Sequence, residues 1–136
     1  LEGTNTVLWP FGRKFKMKIE ELILVDVPAG RFIDLSNLRK KKREIIIGRK
    51  TTSSKAHFYL GEELSDVDFQ KALKTVSKEH ATLSYDGNQV YIQDHSENGI
   101  KINDRPLVGE IEILDFKDRI FFGSYGPVVC AARRKL

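Results

Sequence analysis

Cysteine is almost missing from this chain. Its 136 residues include one, Cys130, so no internal disulfide can form, which suits a reducing compartment. Cys130 lies in the apolar run Pro127-Val128-Val129-Cys130-Ala131-Ala132 and reads as a buried, inert thiol rather than a nucleophile. Histidine is scarce too: three residues without ligand spacing give a metal site no support. No cofactor is expected. No apolar run approaches the ~18 residues of a membrane span, and no membrane partner is expected. The opening LEGTNTVLWP lacks the basic and apolar regions of a signal peptide. Neither sign of charge dominates: 23 basic against 19 acidic residues leave +4. That balance favours acidic or phosphorylated partners without identifying one.

What is present is strand signal. A hydrophobic fraction of 40% with 31% charged residues describes an ordinary globular domain, large enough to bury a core unaided. We expect an N-terminal extension over residues 1–14 and one domain over 15–136. Short apolar or alternating runs occur at Phe15–Ile19, Leu22–Val27, Arg31–Leu35, Glu44–Gly48, His80–Tyr85, Gln89–Gln93, Gly99–Ile102, Ile111–Leu114, Arg119–Phe122 and Val128–Ala132. Between them Asp86-Gly87-Asn88, Asn103-Asp104 and Ser124-Tyr125-Gly126-Pro127 carry turn chemistry, with proline expected to stop pairing. This spacing points to an antiparallel sandwich or barrel.

Two stretches break the rhythm. Arg39-Lys40-Lys41-Lys42-Arg43 places five like charges in a row. It reads as a solvated loop, with a nuclear-import signal or a nucleic-acid contact as the alternatives. Lys50–Thr75 is a long polar link in which Ser65–Lys74 predicts a short helix, with Ser65 as N-cap and Val67, Phe69, Ala72 and Leu73 partly on one face. Loops of such length are usually functional or disordered.

The chemistry gathers at three places. Ile45-Ile46-Ile47 ends in Gly48-Arg49, Ser77-Lys78-Glu79-His80 enters a strand, and Ser96-Glu97-Asn98-Gly99 follows another. A phosphate dianion needs fixed donors and positive charge, and arginine supplies a planar, always ionised fork that matches its oxygens. Arg49 at a strand end, the Ser77 hydroxyl and the Lys78 ammonium make a small basic notch. Asn98 has both donor and acceptor and suits the backbone of an extended peptide, while Gly99 permits a tight turn. His80 could complete a triad with Ser77 and Asp94 or Asp86. No Gly-x-Ser-x-Gly elbow accompanies them, so a structural imidazole that fixes the Ser77 loop is the better reading. His57 and His95 carry no partner pattern and read as surface or loop residues. Each motif alone is weak; their order is far more specific.

In that order the motifs resemble the forkhead-associated (FHA) domain, over roughly Phe15 to Arg133, with Val76–Asn103 and Leu114–Gly123 the strongest blocks. Ser77-Lys78-Glu79-His80 and Asp94–Gly99 look especially like the FHA domains of checkpoint-type kinases. The resemblance implies an all-β fold, a sandwich of two twisted antiparallel sheets with recognition loops at one end. It implies a phosphothreonine-peptide-binding module without catalytic activity, working in signalling such as DNA damage or the cell cycle, in nucleus or cytoplasm with the nucleus favoured. Carried over, Arg49, Ser77 and Lys78 bind phosphate and Asn98 binds peptide backbone. Gly48, His80 and Gly99 support them, and Thr75, Glu97, Ser124 and Tyr125 are candidates for specificity. The expected partner is a phosphothreonine-containing protein or peptide, bound by a monomer. The alternatives are nucleic acid on the basic run, and a phosphate-independent scaffold using a sheet face. The chain departs from the family at Ile100, where threonine is usual, and at Lys117, where glycine is common. Glu97 puts an acid beside the notch, expected to weaken phosphate binding or favour basic peptides.

Overall fold

The computed structural model describes residues 18–40, 44–107 and 110–133. The expectations for residues 1–17 and 41–43, namely the N-terminal extension, the start of the first strand and most of the basic run, lie outside them. Among the described residues the chain builds two sheets. The larger has the order β2-β1-β11-β10-β7-β8, from Arg31–Asp34, Leu22–Asp26, Tyr125–Ala132, Arg119–Phe122, Ile100–Ile102 and Arg105–Leu107. The smaller has the order β4-β3-β5-β6-β9, from Phe58–Tyr59, Ile45–Gly48, Ala81–Tyr85, Val90–Asp94 and Ile111–Leu114.

Alternating side chains fill the space between the sheets. Leu22, Leu24 and Asp26 of β1 face inward, as do Val90, Ile92 and Asp94 of β6. Leu24, Ile47, Leu83, Ile92, Ile120 and Phe122 are completely buried, each contributing about 1.5–3 kcal/mol relative to exposure. Cys130 joins this core, where burial pushes its thiol up to about 12.

Several local expectations need correction. Ile19–Glu21 is a 3-10 turn rather than the end of a strand, because the Glu21 carboxylate accepts from the Lys18 N–H (3.1 Å) and bends the chain. The basic run does not begin as a loop. Arg39 and Lys40 close a short helix, α1 (Ser36–Lys40), started where the Ser36 N–H and hydroxyl both donate to Asp34. Leu35 and Leu38 bury that segment. Pro127 does not stop pairing either. It lies inside β11 at a register shift between Ile120↔Val128 and Phe122↔Tyr125, where a proline costs no regular ladder bond. The long link is ordered. After residue 50 the chain returns to pair β4 with β3, a parallel contact in an otherwise antiparallel sandwich. It then forms α2 (Val67–Leu73), capped by Asp66 rather than Ser65. The Asp66 carboxylate accepts from the Asp68 and Phe69 N–H groups at 2.9 and 3.1 Å. Phe69, Ala72 and Leu73 pack on the core, while Val67 faces outward.

Asp26 ties this insertion to the larger sheet. Its buried carboxylate accepts from the Gly61 N–H (2.8 Å) and the Tyr125 hydroxyl (2.6 Å). Phe69 meets the Tyr125 ring edge-on at 6.1 Å.

Candidate functional site

β3 ends, β5 begins, β6 ends and β10 ends at one rim of the sandwich, and the motif residues lie in the loops that join them. The close approach starts at Gly48. A Cβ there would sit 1.8 Å from the Lys78 carbonyl oxygen, so only glycine lets β3 run under the 77–78 backbone. Arg49 follows at once. Its N–H donates to the Ser77 carbonyl (3.1 Å) and its Nε to the Val76 carbonyl (2.8 Å). The guanidinium is thereby aimed by the very loop that carries Ser77 and Lys78.

His80 holds that loop from beneath. Its Nδ1 accepts from the Ser77 N–H (3.0 Å), so the ring proton sits on Nε2, which donates to the Gly99 carbonyl (2.9 Å). The ring is fully buried and meets Phe122 edge-on at 5.4 Å. Burial lowers its pKa from the ordinary 6.5, against the opposing pull of the Gly99 bond and Asp94, so the imidazole stays neutral. With no hydrogen bond to the Ser77 hydroxyl and both nitrogens engaged, it is a brace and not a general base.

The β6–β7 loop completes the rim. Ser96 is fixed by the buried Asp94, which accepts from its N–H (2.9 Å) and hydroxyl (2.6 Å), and the Ser96 oxygen then accepts from Gly99 N–H (2.8 Å). Gly99 turns at φ +84°, a left-handed conformation that favours glycine. Asn98 Nδ2 donates to the Thr75 carbonyl (2.9 Å), and Glu97 N–H approaches the Ser77 hydroxyl oxygen at 3.4 Å. Arg49, Ser77, Lys78 and Asn98 therefore share one rim, with Asn98, Lys78 and Glu97 exposed.

The four residues singled out for specificity fare differently. Thr75 uses its hydroxyl internally, donating to Ala72 O (2.6 Å) and accepting from Ser124 N–H (2.8 Å). Glu97 and Ser124 are exposed. Tyr125 is 0% exposed and cannot face a peptide side chain, because its hydroxyl is needed by buried Asp26. Ile100 is likewise buried in β7. Lys117, in the turn before β10, adopts φ +75°, the conformation for which glycine is common at that place.

Sequence reasoning missed the loop after Arg49. Ser53 Oγ accepts from Lys78 Nζ (3.0 Å), Ser54 Oγ donates to Lys78 O (2.9 Å), and Lys55 N–H donates to Glu79 (2.6 Å). Nothing in the Thr51-Thr52-Ser53-Ser54 composition signals these contacts beyond its polarity. His57 and His95 also have partners: His57 Nδ1 accepts from Ile46 N–H (2.9 Å), and His95 Nε2 bonds the Thr82 hydroxyl (2.9 Å).

Fold and site together define a β-sandwich with a set of mutually bonded loops at one rim, where the motif residues lie. The chain belongs to the FHA domain family, whose model matches residues 45–123, more than half its length. Members of that family are phosphopeptide-binding modules rather than catalysts. Similar solved structures include the FHA domain of an Arabidopsis thaliana hypothetical protein, with a TM-score of 0.62 at 20% identity, covering 100% of this chain and 97% of that one. Mycobacterium tuberculosis EmbR in complex with a low-affinity phosphopeptide gives 0.59 at 16%, covering 96% of this chain and 28% of that one. An FHA domain solved in a study of phosphothreonine-dependent interactions gives 0.56 at 23%, covering 85% and 98%. At these identities the likeness shows the fold. No curated protein sequence matches the chain.

Proposed function

We propose that this chain recognises phosphothreonine peptides, with Arg49, Ser77 and Lys78 on the phosphate and Asn98 on the peptide backbone. The observation that carries the reading is the convergence of these side chains at one rim, braced by neutral His80. Among the described residues the Ser77 hydroxyl oxygen accepts from the Glu97 N–H, which leaves its proton for a phosphate oxygen. Arg49 brings a fork whose Nε is already anchored, so little conformational freedom is lost on binding. The exposed Glu97 beside Asn98 favours basic residues flanking the phosphothreonine. The setting we propose is phosphorylation-dependent assembly in DNA-damage or cell-cycle signalling, in the nucleus by preference. The basic run Arg39–Arg43 and the family's habits support that setting.

The test is a titration against matched phosphothreonine, phosphoserine and unphosphorylated peptide libraries at two salt concentrations. Selective phosphothreonine binding is expected, and Arg49→Ala should weaken it by about 2 kcal/mol, roughly thirtyfold. A change under about twofold removes Arg49 from the site. Steeply salt-dependent binding of nucleic acid that ignores Arg49→Ala would move the function to the basic run.

A further inference from the structure

From the loop over Lys78 we infer that Ser53 is a phosphorylation site whose phosphate occupies this domain's own notch and shuts it. The inference rests on the reading of Lys78 as a phosphate ligand. Of the four hydroxyl residues in Thr51-Thr52-Ser53-Ser54, two are committed. Thr51 is half-buried and accepts from the Ser53 N–H (3.3 Å). Ser54 is half-buried and bridges Lys78 O and Ala56 N–H. Thr52 and Ser53 are exposed, and of these Ser53 has its oxygen against the Lys78 ammonium, at 3.0 Å.

That placement is built rather than incidental. On one side of Ser53 the chain is held by the Arg49 backbone bond to Ser77. On the other, Ser54 and Lys55 are pinned to Lys78 O and Glu79. A phosphoryl group on Ser53 Oγ therefore needs no loop rearrangement to reach Lys78 Nζ. Transfer itself takes a nucleoside triphosphate and a protein kinase. Ser53 Oγ forms a bond to the γ-phosphorus as the bond to the β–γ bridging oxygen breaks, the nucleoside diphosphate leaves, and the serine proton passes to the kinase's base. Arg49 and Lys50 before Ser53, and Lys55 after it, suit a kinase that prefers basic surroundings. The product phosphate, with a charge of about −2 at neutral pH, neutralises the lysine that an incoming phosphothreonine requires. Being tethered, it competes at an effective concentration on the order of millimolar.

The experiment has three arms. The folded domain is treated with a basophilic kinase and ATP and its phosphosites are mapped by mass spectrometry. Label at Ser53, absent in Ser53→Ala, is expected, and label elsewhere in the loop or none at all overturns the assignment. The domain carrying phosphoserine at position 53 is then followed by 31P NMR. Its second pKa, ordinarily about 6, should be depressed and should return toward that value in Lys78→Ala; an unshifted pKa overturns the contact. Last, phosphothreonine-peptide affinity should fall by about tenfold or more relative to the unmodified domain, given that effective concentration. Equal affinity overturns the shutting of the notch. If the unmodified domain binds no phosphothreonine peptide, the underlying reading fails. The 31P arm then judges the Ser53–Lys78 contact by itself.

Discussion

The two ends of the sandwich are made in different ways. At the far end the Asp86-Gly87-Asn88 turn closes on itself. The Asp86 carboxylate accepts from Asn88 N–H, Gln89 N–H and the Tyr91 hydroxyl, all within five residues. At the rim that carries the proposed site the loops close on each other. Arg49 reaches 27 residues to Val76, Asn98 reaches 23 to Thr75, and Ser124 reaches 49 to Thr75. A turn that supplies its own partners can be changed without consequence elsewhere. A rim built from cross-loop bonds makes the geometry of each side chain of the proposed site depend on residues outside that site.

The sharpest way to break this contrast is Gly48→Ala. The new Cβ collides with the Lys78 backbone, so β3 or the 77–78 loop must move. We expect a stability loss of about 4 kcal/mol by chemical denaturation, and peptide binding lost with it. His80→Ala comes next. It orphans the Ser77 N–H and removes one partner of Gly99 O, at about 3 kcal/mol. Peptide affinity should fall although His80 touches no ligand.

The same histidine gives the rim a pH signature. Its folded pKa is depressed, so its contribution is complete above the unfolded value of 6.5 and declines as pH falls from there toward the lowered folded value. Melting temperature followed against pH should show that decline, and His80→Asn should lack it. Asp86 at the far end behaves separately. Its bonds, that from Gln89 foremost, hold its carboxyl below the ordinary 3.8, so its contribution disappears only as pH falls through and below that value. Asp86→Ala should cost about 1 kcal/mol of stability and leave peptide affinity unchanged; a shift in affinity would sink the separation of the two ends. The smallest effect is a gain. Lys117 at φ +75° is strained for any residue with a side chain, and Lys117→Gly should stabilise by about 0.5 kcal/mol in a thermal melt without touching binding.

This division also explains what the sequence could reveal. Alternating runs announced most strands, and Gly48-Arg49, Ser77-Lys78 and Asn98-Gly99 stood out because each occupies a strand end. β4 has two residues and β8 has three, one of them Pro106, too little for a periodic pattern. Pro106 is tolerated because β8 is an edge. The misreading of Ser65 for Asp66 was a choice between adjacent caps, decided by which carboxylate or hydroxyl meets the first N–H groups. Contacts such as Ser53 to Lys78 or Tyr125 to Asp26 join residues 25 and 99 positions apart. They exist only once distant strands have paired and brought their loops and side chains together, and no local spacing encodes them.

Asp26 has a last consequence, for where the domain ends. The family signature runs from 45 to 123, yet Asp26 and Tyr125 both lie beyond it and join the insertion to the larger sheet. A fragment trimmed to the signature would forfeit β1, β2 and β11, half of that sheet, and leave β10 as a raw edge with Ile120 and Phe122 uncovered. The part that can be recognised and the part that can stand alone are not the same length of chain.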